Sequence, residues 1–122
     1  MKKIEQRDNY IYVEYDEEYS IDVFVSTSKQ VFDFCQAKNY RKVLVNITNM
    51  PGKVRTLQRF EIGVQGSLLF RNLIKVAVLY RAEEIDWFAE TVSKNRGLNA
   101  KIFSDLDKAM EWLEVEKHSH AL

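Results

Sequence analysis

The chain has 122 residues, 46% hydrophobic and 30% charged, the mix of one soluble globular domain and not of a disordered tail. Its 18 Lys and Arg balance 18 Asp and Glu, so nucleic-acid binding through phosphates, which asks for a clearly basic chain, is disfavoured. No apolar run approaches the roughly 18 residues of a membrane span, Met1-Lys2-Lys3 runs into charged residues and not into a signal segment, and one cysteine excludes an internal disulfide. A cytoplasmic address is the expectation.

The first elements are short. Ile4 to Arg7 and Tyr10 to Tyr15 are separated by Asp8-Asn9, whose side chains suit a turn. The second piece is rich in aromatic and β-branched residues. The pair reads as an antiparallel hairpin with Ile11, Val13 and Tyr15 facing inward. Asp16-Glu17-Glu18 then breaks the strand and brings negative charge to the start of a helix, where the dipole favours it. Ile21, Phe24, Val25, Ser28, Phe32 and Cys35 recur at spacings of three and four and mark one face of that helix.

Lys42 to Ile47 is a continuous apolar, β-branched run interrupted only by Asn46, the pattern of a strand buried on both faces. Asn49-Met50-Pro51-Gly52 is a loop. A second helix is expected from about Thr56 to Phe70, with Thr56 as its N-cap, Leu57, Phe60, Val64 and Leu68 on one face, and Gly63 and Gly66 offset by close packing. Ile74 to Tyr80 reads as the next central strand. Ile85, Phe88, Ala89 and Val92 form a third helical face, closed by Gly97 as a left-handed C-terminal residue. Ala100 to Phe103 is a short strand. Ser104-Asp105-Leu106-Asp107 has the spacing of a capping box, and Leu106, Ala109, Met110 and Leu113 should face the core.

The order ββαβαβαβα predicts an α/β fold: a mixed sheet of about five strands, an antiparallel hairpin followed by βαβαβα crossovers, with four helices. Residues 1–113 form the domain and 114–122 a polar tail.

Several of these segments also resemble a known family. They are Arg41-Lys42-Val43-Leu44-Val45-Asn46, Arg59-Phe60-Glu61-Ile62-Gly63, Lys75-Val76-Ala77-Val78, Glu90 to Gly97, Ala100 to Asp105, and Ala109-Met110-Glu111-Trp112-Leu113. Together they resemble the SpoIIAA-like (STAS/SEC14-type) small bacterial domains over most of the chain. The resemblance implies a sheet with amphipathic helices and a role without catalysis. It points to regulation through protein contact, as in anti-sigma-factor antagonists, and in some relatives to a lipophilic ligand. The antagonists carry a phosphorylatable serine in Asp-Ser-Ser-Gly at the start of the helix after the central strand. Here that stretch is Lys53-Val54-Arg55-Thr56-Leu57, without the motif, and Thr56 is the hydroxyl in the comparable place. A phosphate there would suit a helix N-terminus, and the plain alternative is a structural cap.

No catalytic constellation stands out. Cys35 falls on an apolar helix face and reads as a buried thiol. His118 and His120 sit on the tail without further ligands, so no metal is expected. Glu17-Glu18 and Glu83-Glu84 are neighbours that point apart and suit dipole compensation better than acid–base work. Lys53, Arg55 and Arg59 collect positive charge beside the carboxyl end of a central strand, where open α/β sheets bind ligands or partners. Tyr10 and Tyr12 point opposite to Ile11 and Val13; a partly exposed aromatic face there would suit a partner or a second subunit, and the alternative is core or rim packing.

The function expected is a non-enzymatic regulatory or protein-interaction domain with no cofactor, a protein partner and a homodimer. The alternative is a carrier or sensor of a small lipophilic ligand, with Phe24, Phe32, Phe60 and Phe88 lining a pocket. An enzyme comes third and would need a polar pocket around Asn46, Thr48 and Arg59.

Overall fold

The computed structural model describes residues 2–18, 20–51, 74–81 and 99–115. The hairpin forms as its alternation demands: β1 (Lys2–Gln6) runs antiparallel to β2 (Ile11–Tyr15), with Ile4 opposite Val13 and Gln6 opposite Ile11. Asp8 and Asn9 make the connection, and the Arg7 amide donates to the Tyr10 carbonyl at 3.0 Å.

Helix α1 spans Ile21–Lys38. It begins later than the acidic run suggests, because Asp16, Glu17 and Glu18 are exposed residues ahead of the cap. Ser20 is that cap, accepting from the Val23 amide at 3.4 Å. Asn39 ends the helix with φ 59°, a left-handed conformation that asparagine tolerates, and the Cys35 carbonyl receives the Asn39 and Tyr40 amides. The buried row is Thr27, Ser28, Val31 and Cys35. The predicted face is therefore right at Ser28 and Cys35 and slightly rotated elsewhere, since Ile21, Phe24, Val25 and Phe32 are half-buried flanks.

Strands β3 (Lys42–Asn46), β4 (Lys75–Leu79) and β5 (Asn99–Phe103) join β2 in parallel, giving a five-stranded sheet in the order β1-β2-β3-β4-β5. The unbroken apolar runs of β3 and β4 follow from burial on both faces. On one face Ile11, Val13, Tyr15, Val43, Val76 and Ala100 pack with Val31 and Cys35 of α1. On the other, Tyr10, Tyr12, Leu44 and Ala77 pack with Ala109, Met110 and Leu113 of the last helix, α2 (Leu106–Leu113).

Two sequence expectations for α2 need correction. Its N-cap is Asp105, not Ser104: the Asp105 carboxylate accepts from the Asp107 and Lys108 amides at 2.8 and 3.3 Å. Leu106 shares the face of Ala109, Met110 and Leu113 but is the first residue of the helix, at the open end of that face, and it is 41% exposed instead of in the core. The helix closes at Glu114, φ 62°, with Val115 N–H bonded to the Met110 carbonyl and the Val115 side chain buried beside Met110, a Schellman motif that satisfies the last carbonyls. The tail expected beyond it lies, for 116–122, outside the described residues. So do the helices expected at 56–70 and over Ile85 to Val92, with Gly97; the described residues contain two helices, not four.

Candidate functional site

Parallel pairing brings the carboxyl ends of β2, β3, β4 and β5 to one edge of the sheet, with Glu14 in register with Asn46 and Asn46 with Leu79. Asn46, the polar residue in an otherwise apolar strand, organises this edge. Its Nδ2 donates to the Tyr12 hydroxyl at 3.0 Å, and that hydroxyl donates to Glu14 Oε1 at 2.7 Å. Its Oδ1 accepts from the Thr48 amide at 3.0 Å and the Thr48 hydroxyl at 2.7 Å, which stops the strand and starts a turn. Arg81, just past β4, braces that turn: one guanidinium nitrogen donates to the carbonyls of Thr48 at 3.0 Å and Met50 at 2.7 Å, with the guanidinium 5.0 Å from the centre of the Tyr80 ring. The path leading to Pro51 is thus held by one side chain at the end of β3 and one just past the end of β4.

The same sheet face continues across the hairpin. The Arg7 guanidinium stands 4.0 Å from the centre of the Tyr12 ring, donates to Glu5 Oε1 at 3.1 and 2.7 Å, and reaches the Tyr10 hydroxyl at 3.3 Å. Lys3 pairs with Glu5 Oε2 at 2.9 Å. The hydrogen bond from Arg7, then that from Lys3, holds the Glu5 carboxyl below the usual carboxylate range, whereas burial pushes the Tyr12 phenol up. The Tyr40 hydroxyl donates to the Arg7 carbonyl at 3.0 Å and accepts from Gln6 Nε2 at 3.1 Å, tying the hairpin to the end of α1.

Chemically, this arrangement holds shape. Asn46 joins Tyr12 to Thr48 through its two polar atoms, the Tyr12 proton goes to Glu14, and Tyr12 stays protonated at neutral pH. Cys35, expected buried, is so: burial pushes its thiol up to about 11, so it is neutral and a poor nucleophile.

Of the polar pocket that an enzyme would need, Asn46 and Thr48 are hydrogen-bonded to each other. The third member of that pocket, Arg59, lies outside the described residues, as do Lys53, Arg55 and Thr56, Glu83 and Glu84, and His118 and His120. Phe24 and Phe32 are half-buried on α1, while Phe60 and Phe88 fall outside as well. Among the described residues no three metal-binding side chains cluster, and no helix is long and apolar enough to cross a membrane. Of the two fates open to the far-face aromatics, core packing holds for Tyr10 and Tyr12 and the exposed face is overturned. Tyr10 and Tyr12 do point away from Ile11 and Val13, but they are 1% and 8% exposed, because Tyr10 packs with the α2 cluster and Arg7 covers Tyr12. Glu14, Arg81 and Arg7 are the site residues that sequence reasoning missed. The period-two spacing of Tyr12 and Glu14 signals a shared face; nothing local signals Arg81.

No protein-family model and no curated protein matches the chain. Solved structures do. An anti-sigma factor antagonist from Mycobacterium paratuberculosis superposes with a TM-score of 0.61 at 11% identity, over 93% of both chains. An uncharacterised protein of the DUF3478 family with a SpoIIAA-like fold, from Shewanella loihica PV-4, gives 0.61 at 19% identity, over 93% of this chain and 92% of that one. The protein TM1081, solved by NMR, gives 0.58 at 17% identity, over 93% and 88%. At such identities a likeness speaks of architecture, and the mixed five-stranded sheet of this chain agrees with it: the chain has the SpoIIAA-like fold.

Proposed function

We propose that this chain is a non-enzymatic regulatory domain that acts in the cytoplasm by binding a protein partner at the carboxyl edge of its sheet. The observation that carries the reading is the double grip of Arg81 on the Thr48 and Met50 carbonyls, which presets the turn to Pro51. Pre-ordering a loop lowers the entropy lost when a partner docks. The sequence after Pro51 supplies Lys53, Arg55 and Arg59, which suit an acidic protein surface, and Thr56, whose phosphorylation would reverse the local charge and release that surface. The anti-sigma factor antagonist among the structural neighbours supports a regulatory role. The inward-turned hydrogen bonds of Tyr12, Asn46 and Thr48 favour a scaffold over a reaction centre.

Photo-crosslinking tests this. A crosslinking residue at Asn49 should capture one dominant protein in the native cell, and capture should fall at least about tenfold when Lys53, Arg55 and Arg59 are changed to Glu. The same probe at exposed Lys108 on α2 should capture none. Equal capture at both positions, or capture indifferent to the charge reversal, overturns the reading.

A further inference from the structure

The outermost strand of the sheet has a property that neither the core nor the carboxyl edge requires. The Arg7 amide bond to the Tyr10 carbonyl makes Arg7 and Tyr10 a hydrogen-bonded pair. Antiparallel ladders alternate, so Glu5–Tyr12 and Lys3–Glu14 are hydrogen-bonded pairs too, while Lys2, Ile4 and Gln6 turn their N–H and C=O groups away from β2. Among the described residues no strand pairs with that outer edge.

An edge strand bearing lysine and glutamate is an ordinary guard against unwanted pairing. This one is also antisymmetric in charge about its centre, with Lys3 on one side of Ile4 and Glu5 on the other. If a second copy approaches antiparallel with Ile4 opposite Ile4, the two isoleucines exchange a pair of backbone bonds, and Lys2 does the same with Gln6 at either end. Lys3 then stands opposite Glu5 twice, on the face where both already lie, at the close non-hydrogen-bonded positions where cross-strand charges interact best. Glu5 can meet this contact without losing Arg7, because Arg7 holds Oε1 and Lys3 holds Oε2. The side chains are accessible enough to re-pair, Lys3 at 54% and Glu5 at 36% exposure. Ile4, half-buried on the α1 face, would add an apolar contact across the two-fold axis.

We infer that the outer edge of β1 is a homotypic docking edge, through which two copies join antiparallel about Ile4 into one continuous ten-stranded sheet. Such a contact is isologous, so it closes at the dimer. It is also small, which puts it among weak, micromolar associations.

Sedimentation of the full chain from about 1 to about 500 µM is the experiment. The chain should dimerise with concentration. Lys3→Glu and Glu5→Lys should each weaken self-association at least about tenfold, since each places like charges opposite one another. Mixed one to one, these two variants should form a heterodimer, because every position across the axis is then complementary. Ile4→Pro, which removes an outward N–H and no bond to β2, should also weaken the dimer about tenfold. Circular dichroism would confirm that it folds, and if it does not, the charge mixture decides. A chain monomeric throughout, making the edge a guard only, would overturn the inference. So would a dimer indifferent to both charge changes, or a mixture that stays monomeric.

Discussion

The Lys75 ammonium stands 4.5 Å from the centre of the Trp112 ring and donates to the Trp112 backbone carbonyl. Lys42, its in-register neighbour on β3, donates to the Glu114 carbonyl at 3.1 Å. Two lysines at the amino ends of the central strands therefore hold the negative end of the α2 dipole, and the helix carries no basic residue in its own last turn. Lys75→Met should lower stability by about 1–2 kcal/mol, read from urea denaturation. An unchanged midpoint would show the contact to be incidental.

The two leucines at the ends of α2 should behave oppositely. Leu113 is fully buried, so Leu113→Ala should cost about 2–5 kcal/mol. Leu106→Ala, on an exposed side chain, should stay within about 0.5 kcal/mol. The two lie seven residues apart on one face, so thermal unfolding of the pair checks that the end of the helix, and not its first turn, meets the sheet.

The cap can be assigned in the same way. Asp105→Ala removes the acceptor for two first-turn amides and should cost about 1 kcal/mol. Ser104→Ala should change stability by less than about half of that. A larger loss at Ser104 would return the cap to the position expected from sequence spacing.

Stability should fall in alkali, and Cys35 sets the sign. Burial raises its folded pKa to about 11, above the ordinary thiol value, so the folded protein keeps a proton that the unfolded chain gives up. The contribution is whole below about pH 9 and is lost as pH rises towards 11, on the order of 2 kcal/mol in all. Buried Tyr15, also pushed up, adds a loss in the same direction at higher pH. Cys35→Ala should flatten the lower part of the profile in denaturation measured from pH 8 to 11; an unaltered slope would place the thiol in contact with water.

The brace at the carboxyl edge should be separable from the core. Arg81→Ala removes two charge-assisted bonds to loop carbonyls and should cost about 1–3 kcal/mol. Amide exchange should speed up around residues 48–50 while the strand interiors stay protected.

The strands and the first helix were legible in the chain because their signals are local. Alternation in Ile11–Tyr15, apolar runs at Lys42–Asn46 and Lys75–Leu79, and the three-and-four spacing after Ile21 report backbone periods of 2 and 3.6 residues whatever the rest of the chain does. Asn46 and Thr48 could be singled out for the same reason, as polar residues at the end of such a run. Which groups would meet them was decided by strand order and register. Tyr12 reaches Asn46 across 34 residues, Arg81 reaches Thr48 across 33, and Lys42 reaches the end of α2 across 72. Tyr10 and Tyr12 show the limit most clearly: sequence placed them on the far face, but only the return of α2 and the fold of Arg7 over the hairpin could say that the face is covered. Periodicity assigns a side chain to a side of its own element, whereas burial depends on what the chain later lays against that side.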